Sequence, residues 1–121
     1  MAQEIQFAAS LAASKNNISI ATPALSKVLD MTGAQMVSDS QNIGASAEAL
    51  TWGDISGAPG VVILFNADAT NYVQIAGDSG ITQFVQRIQP LGFLLLTPES
   101  ATVYAKAHTA ACNLVKYAVE A

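Results

Sequence analysis

Gly77-Asp78-Ser79-Gly80 sets a serine between an acid and two glycines, the residue types of a nucleophile held on a tight turn. Such a serine needs a base within hydrogen-bond reach and a third group to orient the base. The sequence offers one histidine, His108. A second constellation is rich in oxygen donors. Asn66, Asp68, Asn71 and Asp78 fall in two neighbouring segments and could bracket a calcium ion. A third is aromatic: Trp52, Tyr72, Tyr104 and Tyr117 could offer stacking faces to a sugar, a use to which β-sandwiches are put.

None of the three has the arrangement its chemistry asks for. In chymotrypsin-like proteases the order is His, Asp, Ser, and a second glycine and a proline continue the motif. Here His108 follows Ser79, and Ile81 comes directly after the tetrapeptide. GDSG therefore reads as a loop between strands, with Gly77 supplying free backbone angles, Asp78 and Ser79 bonding their own backbone, and Gly80 closing the turn. The Asn and Asp spacing fits no calcium loop, and such residues are frequent in turns. Aromatic residues make up only 7% of the chain, so packing has first claim on them. Glu99 and Glu120 sit at turns or ends and form no glycosidase pair. The lone Cys112 excludes an intrachain disulfide and any zinc site built on paired cysteines, and it reads as a small buried apolar residue. The expectation is a chain with no catalytic residues, no cofactor-binding residues and no metal ligands.

The elements that would carry these residues are short strands. Residues 3 to 13 alternate in polarity, Lys15-Asn16-Asn17 makes a turn, and Ile18 and Ile20 continue in a second strand. Residues 22 to 33 suit either a helix opened by Thr22-Pro23 or a strand with Leu25, Leu29 and Met31 on one side, and strand is the reading taken. Residues 34 to 50 are polar and turn-rich, with one strand expected around Met36 and Val37. Further strands are expected over 49–52, 61–65, 72–76, 84–88, 93–96, 103–107 and 113–119. Val61 to Phe65 and Phe93 to Leu96 are apolar at every position, so both of their faces must be covered. Val115, Tyr117 and Val119 share one face of the last strand. The sum is an all-β chain, an antiparallel β-sandwich or barrel, jelly-roll-like, of about eight to ten short strands. It reads as a single domain over residues 1–121, with 1–20 a candidate hairpin or arm.

Composition narrows the function classes. Hydrophobic residues account for 51% of the chain and charged residues for 12%, about half the usual charged share of roughly 25%. A domain this poor in charge either shows apolar surface or hides it against other chains. The net charge is −4, and Lys15, Lys27, Arg87, Lys106 and Lys116 are scattered, so no nucleic-acid partner is expected. No basic segment precedes the first apolar residues, and no apolar run approaches membrane-spanning length, so neither a secretory signal nor a membrane is expected.

"PGVVILFNADATNYVQIAGDSG", "IQPLGFLLL" and "VYAKAHTAACNLVKYAVE" together are similar to a recurrent small virion protein of tailed bacteriophages. Asn66, Asp68, Ala69, Thr70, Asn71, Tyr72 and Val73 carry the middle block, Gly92 and Phe93 to Leu96 the next, and Tyr104 to Ala107 the last, one residue tighter than that pattern. Residues 29 to 33, "LDMTG", also fit upstream. Gln89-Pro90-Leu91 departs, standing where the pattern more often has charges. These are turn and strand patterns and carry no catalytic signature. The resemblance implies a non-enzymatic virion structural protein. A capsid decoration (cement) protein is expected first, as a homotrimer seated on major capsid protein. A minor component of the tail or head-tail junction comes second, and a carbohydrate-binding module third. The expected location is the virion, in the capsid rather than the tail.

Overall fold

The computed structural model describes residues 4–120, and within them the chain is all-β. Gln3, where the first expected strand begins, lies outside the described residues. There is no helix among them, so none is long and apolar enough to cross a membrane. The chain divides into two compact units, Met1–Thr32 and Gly33–Ala121.

The first unit holds β1 (Ile5–Ala9), β2 (Ala12–Lys15), β3 (Ile18–Ala21) and β4 (Leu25–Leu29). β2 and β3 form the hairpin expected from Lys15-Asn16-Asn17, with Asn16 in the left-handed region at φ 57°. Asn tolerates that conformation because its short polar side chain meets little steric conflict there. The alternating segment breaks at Ser10 and Leu11, so β1 pairs with β4 and not with β3. The strand reading of residues 22 to 33 holds. Met31 N donates to Glu4 Oε1 at 2.9 Å and ties the ends of this unit together.

The second unit is a β-sandwich of two four-stranded antiparallel sheets. One has the order β10 (Phe93–Leu96), β7 (Val61–Asn66), β12 (Cys112–Val119), β5 (Met36–Ile43). The other has the order β6 (Glu48–Ala49), β11 (Tyr104–Ala107), β8 (Val73–Ala76), β9 (Gln86–Ile88). Val62, Leu64 and Leu114 from the first sheet meet Val73, Ile75, Ala105 and Ile88 from the second in one core, closed by Leu50, Trp52 and Ile55. Strand number exceeds the expected eight to ten, since twelve are described, four of them in the first unit.

Two local expectations are corrected. β5 is eight residues long where a short strand within a turn-rich stretch was expected. Phe84 does not begin a strand: it adopts φ 52° and is 90% exposed, and β9 starts at Gln86. On β12, Val115, Tyr117 and Val119 share one face as expected, and it is the outer one, while the buried face carries Cys112, Leu114, Lys116 and Ala118.

Candidate interaction surfaces

The GDSG segment links β8 to β9 and is organised by Asp78. Its Oδ1 accepts from Thr82 N and Gln83 N, each at 2.8 Å, and its Oδ2 accepts from Thr82 Oγ1 at 2.6 Å. These bonds, the Thr82 hydroxyl first, hold the carboxyl below its ordinary range. The left-handed residues of the loop are Ile81, at φ 53°, and Phe84, and Gly77 is not among them. His108 lies elsewhere. Its ring stacks on Tyr72 with centroids 4.4 Å apart, and the His108 backbone N–H donates to Tyr72 O at 2.9 Å. Tyr72 precedes β8 and Ser79 follows it. The two side chains are therefore separated by the length of a four-residue strand, about 13 Å at roughly 3.3 Å per residue. The serine and histidine of a nucleophilic pair are not brought together.

The same strand divides the oxygen donors. Asn66, Asp68 and Asn71 lie before β8, and Asp78 lies after it. The first three are spent on their own loop. Asn66 Nδ2 donates to Asn71 O at 2.8 Å and to Ile88 O at 3.2 Å. Asn66 Oδ1 accepts from Asp68 N at 3.0 Å. Asp68 Oδ2 accepts from Asn71 N and Thr70 N, which hold its carboxyl below the ordinary range. No group of three or more His, Cys, Asp or Glu that could hold a metal is found among the described residues.

The aromatic residues are dispersed. Trp52 is buried, and its indole N–H donates to Ala101 O at 2.8 Å. Arg87 lies 4.1 Å from the centre of the Tyr72 ring. Arg87 stands on β9, and His108 follows β11, on the other side of β8. The two residues thus take the two faces of Tyr72. Tyr104 and Tyr117 face outward from different sheets. No two of these rings present a common open face.

Sequence reasoning missed the most distinctive polar site, at Lys116. The side chain is fully buried. Its ammonium donates to Gln41 Oε1 at 2.9 Å, to Thr51 Oγ1 at 2.9 Å and to Thr51 O, with Asp39 Oδ1 at 3.5 Å. Gln41 in turn accepts from Thr51 N and donates to Glu48 Oε1 and Ala49 O. Every donor of the lysine is satisfied inside the fold, which is the condition for keeping a charge buried. The only signal in the sequence is parity: Lys116 falls in register with Cys112, Leu114 and Ala118.

What remains open to a partner is apolar. On the outer face of the β10-β7-β12-β5 sheet, register sets Phe93 beside Phe65 and Val115, then Leu95 beside Ile63 and Tyr117, then Val61 beside Val119 and Met36. Phe93, Tyr117 and Met36 are 69%, 49% and 64% exposed. No family model, curated protein or solved structure matches the chain. At the open side of the sandwich, a groove of about 650 Å³ runs along β10 between the sheets, lined by Leu94, Leu95, Leu96, Ile75, Phe84 and Glu99 among others. β10 ends its sheet, so one backbone edge of Phe93–Leu96 has no strand beside it. In the first unit, Leu11, Ile18, Ile20 and Leu25 are all more than half exposed. Register puts Leu11, Ala13, Ile18 and Ile20 on one face of the hairpin, with Lys15 on the same face at its turn end, opposite Ser14 and Ser19.

Proposed function

We propose that this chain is a non-enzymatic structural subunit of a bacteriophage virion, a capsid decoration protein that binds copies of itself and the major capsid protein. The observation that carries the reading is the amount of large apolar side chain left in water on both units, from Ile18 and Ile20 to Phe84, Phe93 and Met36. Large apolar side chains left exposed in this number are suited to burial against other chains. A subunit that binds only the assembled shell stabilises it by mass action, and clamping of this sort needs a rigid scaffold with apolar contact faces, which the sandwich supplies. The sequence resemblance to small tailed-phage virion proteins supplies the setting.

Copy number per particle, measured by quantitative mass spectrometry, tests the reading. Hundreds of copies are expected. A few to a few tens would move the subunit to the tail or head-tail junction, and absence from particles would overturn the proposal. Particles lacking the chain are expected to release their genome at a lower temperature than complete ones.

A further inference from the structure

We infer that β3 of one copy adds to the free edge of β10 in a second copy, with the apolar face of its hairpin filling the groove between the sheets. The inference rests on the structural-subunit reading and gives it a contact. Four observations meet here. First, β10 is an edge strand of sequence Phe-Leu-Leu-Leu, with no charge, proline or bulge inside it to blunt pairing. Second, β3 is likewise the edge of a two-stranded sheet, is also four residues long, and leaves Ile18 79% and Ile20 56% exposed in its own chain. An isolated two-stranded hairpin is marginal in water, so its apolar face needs a cover. Third, Leu94 and Leu96 already turn toward the core, and Ile75, Val103 and Phe84 continue the apolar lining of the groove, with Gln83, Gln86 and Thr102 at its polar positions. Fourth, the charges are complementary and single. Lys15 is the one charged residue of the hairpin Ala12–Ala21, and Glu99 is the one charged residue lining the groove.

The charges also choose the direction. Glu99 lies three residues beyond the end of β10, and Lys15 lies at the turn end of the hairpin, opposite Ile18. Antiparallel addition sets Ile18 against Leu96 and Ile20 against Leu94, which sends both isoleucines into the groove and brings Lys15 to the Glu99 end. Parallel addition would carry Lys15 to the far end. The contact joins two different patches, so it is head-to-tail and propagates from copy to copy until a ring closes.

The test uses the full chain. Ile18→Cys and Leu96→Cys are made separately, mixed and oxidised. Directly opposed residues of antiparallel strands bring their Cβ atoms within disulfide reach, so a cross-linked dimer containing one of each variant is expected. Lys15→Glu is expected to weaken self-association by about tenfold, through a like-charge contact with Glu99, and Glu99→Lys in the same chain to restore it. Trp52 fluorescence confirms that the sandwich is intact in each variant. A cross-link that forms only inside a chain carrying both cysteines would show that the hairpin fills its own groove, and would overturn the proposal. An oligomeric protein with no cross-link and no response to Lys15→Glu would overturn this contact and leave the structural-subunit reading standing. A strictly monomeric protein at high concentration would remove both.

Discussion

Replacing Gln41 with leucine should destabilise the fold more than replacing Lys116 with methionine, although the lysine carries the charge. Gln41→Leu removes the Oε1 that accepts from Lys116 Nζ at 2.9 Å and from Thr51 N at 3.1 Å. Losing one bond to a buried charge costs about 1.5–3 kcal/mol, while Thr51 is exposed and its freed N–H can turn to water. The expected loss is therefore about 1.5–3 kcal/mol, since Thr51 O, Thr51 Oγ1 and Asp39 still hold the ammonium. Lys116→Met removes the ion together with its need for partners. Gln41 Oε1 keeps Thr51 N and Thr51 Oγ1, at 3.1 and 3.3 Å, and only Thr51 O is left short of a donor. Asp39, whose side chain is 49% exposed, regains water. That change should cost about 1–2 kcal/mol. The double variant should be more stable than Gln41→Leu alone. Urea unfolding followed by Trp52 fluorescence is a direct assay, because Lys116 Nζ lies 5.9 Å from the Trp52 ring. If Lys116→Met proves the costlier change, or if both cost less than about 1 kcal/mol, the ammonium is not held as described.

Leu64→Ala, on the fully buried face of β7, should cost about 2–5 kcal/mol in the same assay, while Ile63→Ser, on the partly exposed outer face, should cost less. Phe84→Gly should hold or raise the thermal midpoint, because it removes a side chain from the left-handed region where non-glycine residues lose about 1–2 kcal/mol, and it should weaken self-association. Glu4, Asp68 and Asp78 all have carboxyls held below their ordinary range by hydrogen bonds. Their contribution is complete above the ordinary carboxylate range and is lost as pH falls through the lowered folded values, so Asp78→Asn should flatten the acid limb of a midpoint-against-pH curve below about pH 4. Ser79→Ala should change nothing that a fluorophosphonate probe reports, and a probe that labels only the unsubstituted chain would contradict the separation of Ser79 from His108.

Continuous apolar runs were the most legible part of the sequence. Phe93 to Leu96 and Val61 to Phe65 read as strands, and they are β10 and β7, the latter extended to Asn66, but the second face expected to be covered is partly open, with Phe93 69% exposed. The hairpin turn at Lys15-Asn16-Asn17 was legible from turn chemistry. β5 was hidden because its inward positions alternate Val37, Asp39, Gln41, Ile43. The two polar residues in the middle serve the buried lysine, so the strand looks like a loop until Lys116 is known to face it. Which face of β12 is buried was not legible for the same reason. A lysine sat among the buried residues, while Val115, Tyr117 and Val119 made the outer face look the more apolar. Phe84 followed the strand pattern in type but not in backbone, because Asp78 binds Thr82 and Gln83 and keeps the chain turning past the point where pairing would start. Among the candidate sites, order along the chain already argued against a Ser79–His108 pair. The position of β8 between them is a topological fact that spacing alone does not give.

β12 lies between β7 and β5, and its partners on β5 are about seventy to eighty residues away in the chain, a separation that makes such pairings slow to form. During synthesis β5 and β7 leave the ribosome long before the strand that joins them. Until residue 119 has emerged, β7 has only β10 to pair with, and its apolar positions stay open on the other side. The chain is therefore most exposed to off-pathway association in the interval between making β7 and making β12. Expression yield should depend more on temperature and on chaperone supply during that interval than on the stability of the finished sandwich.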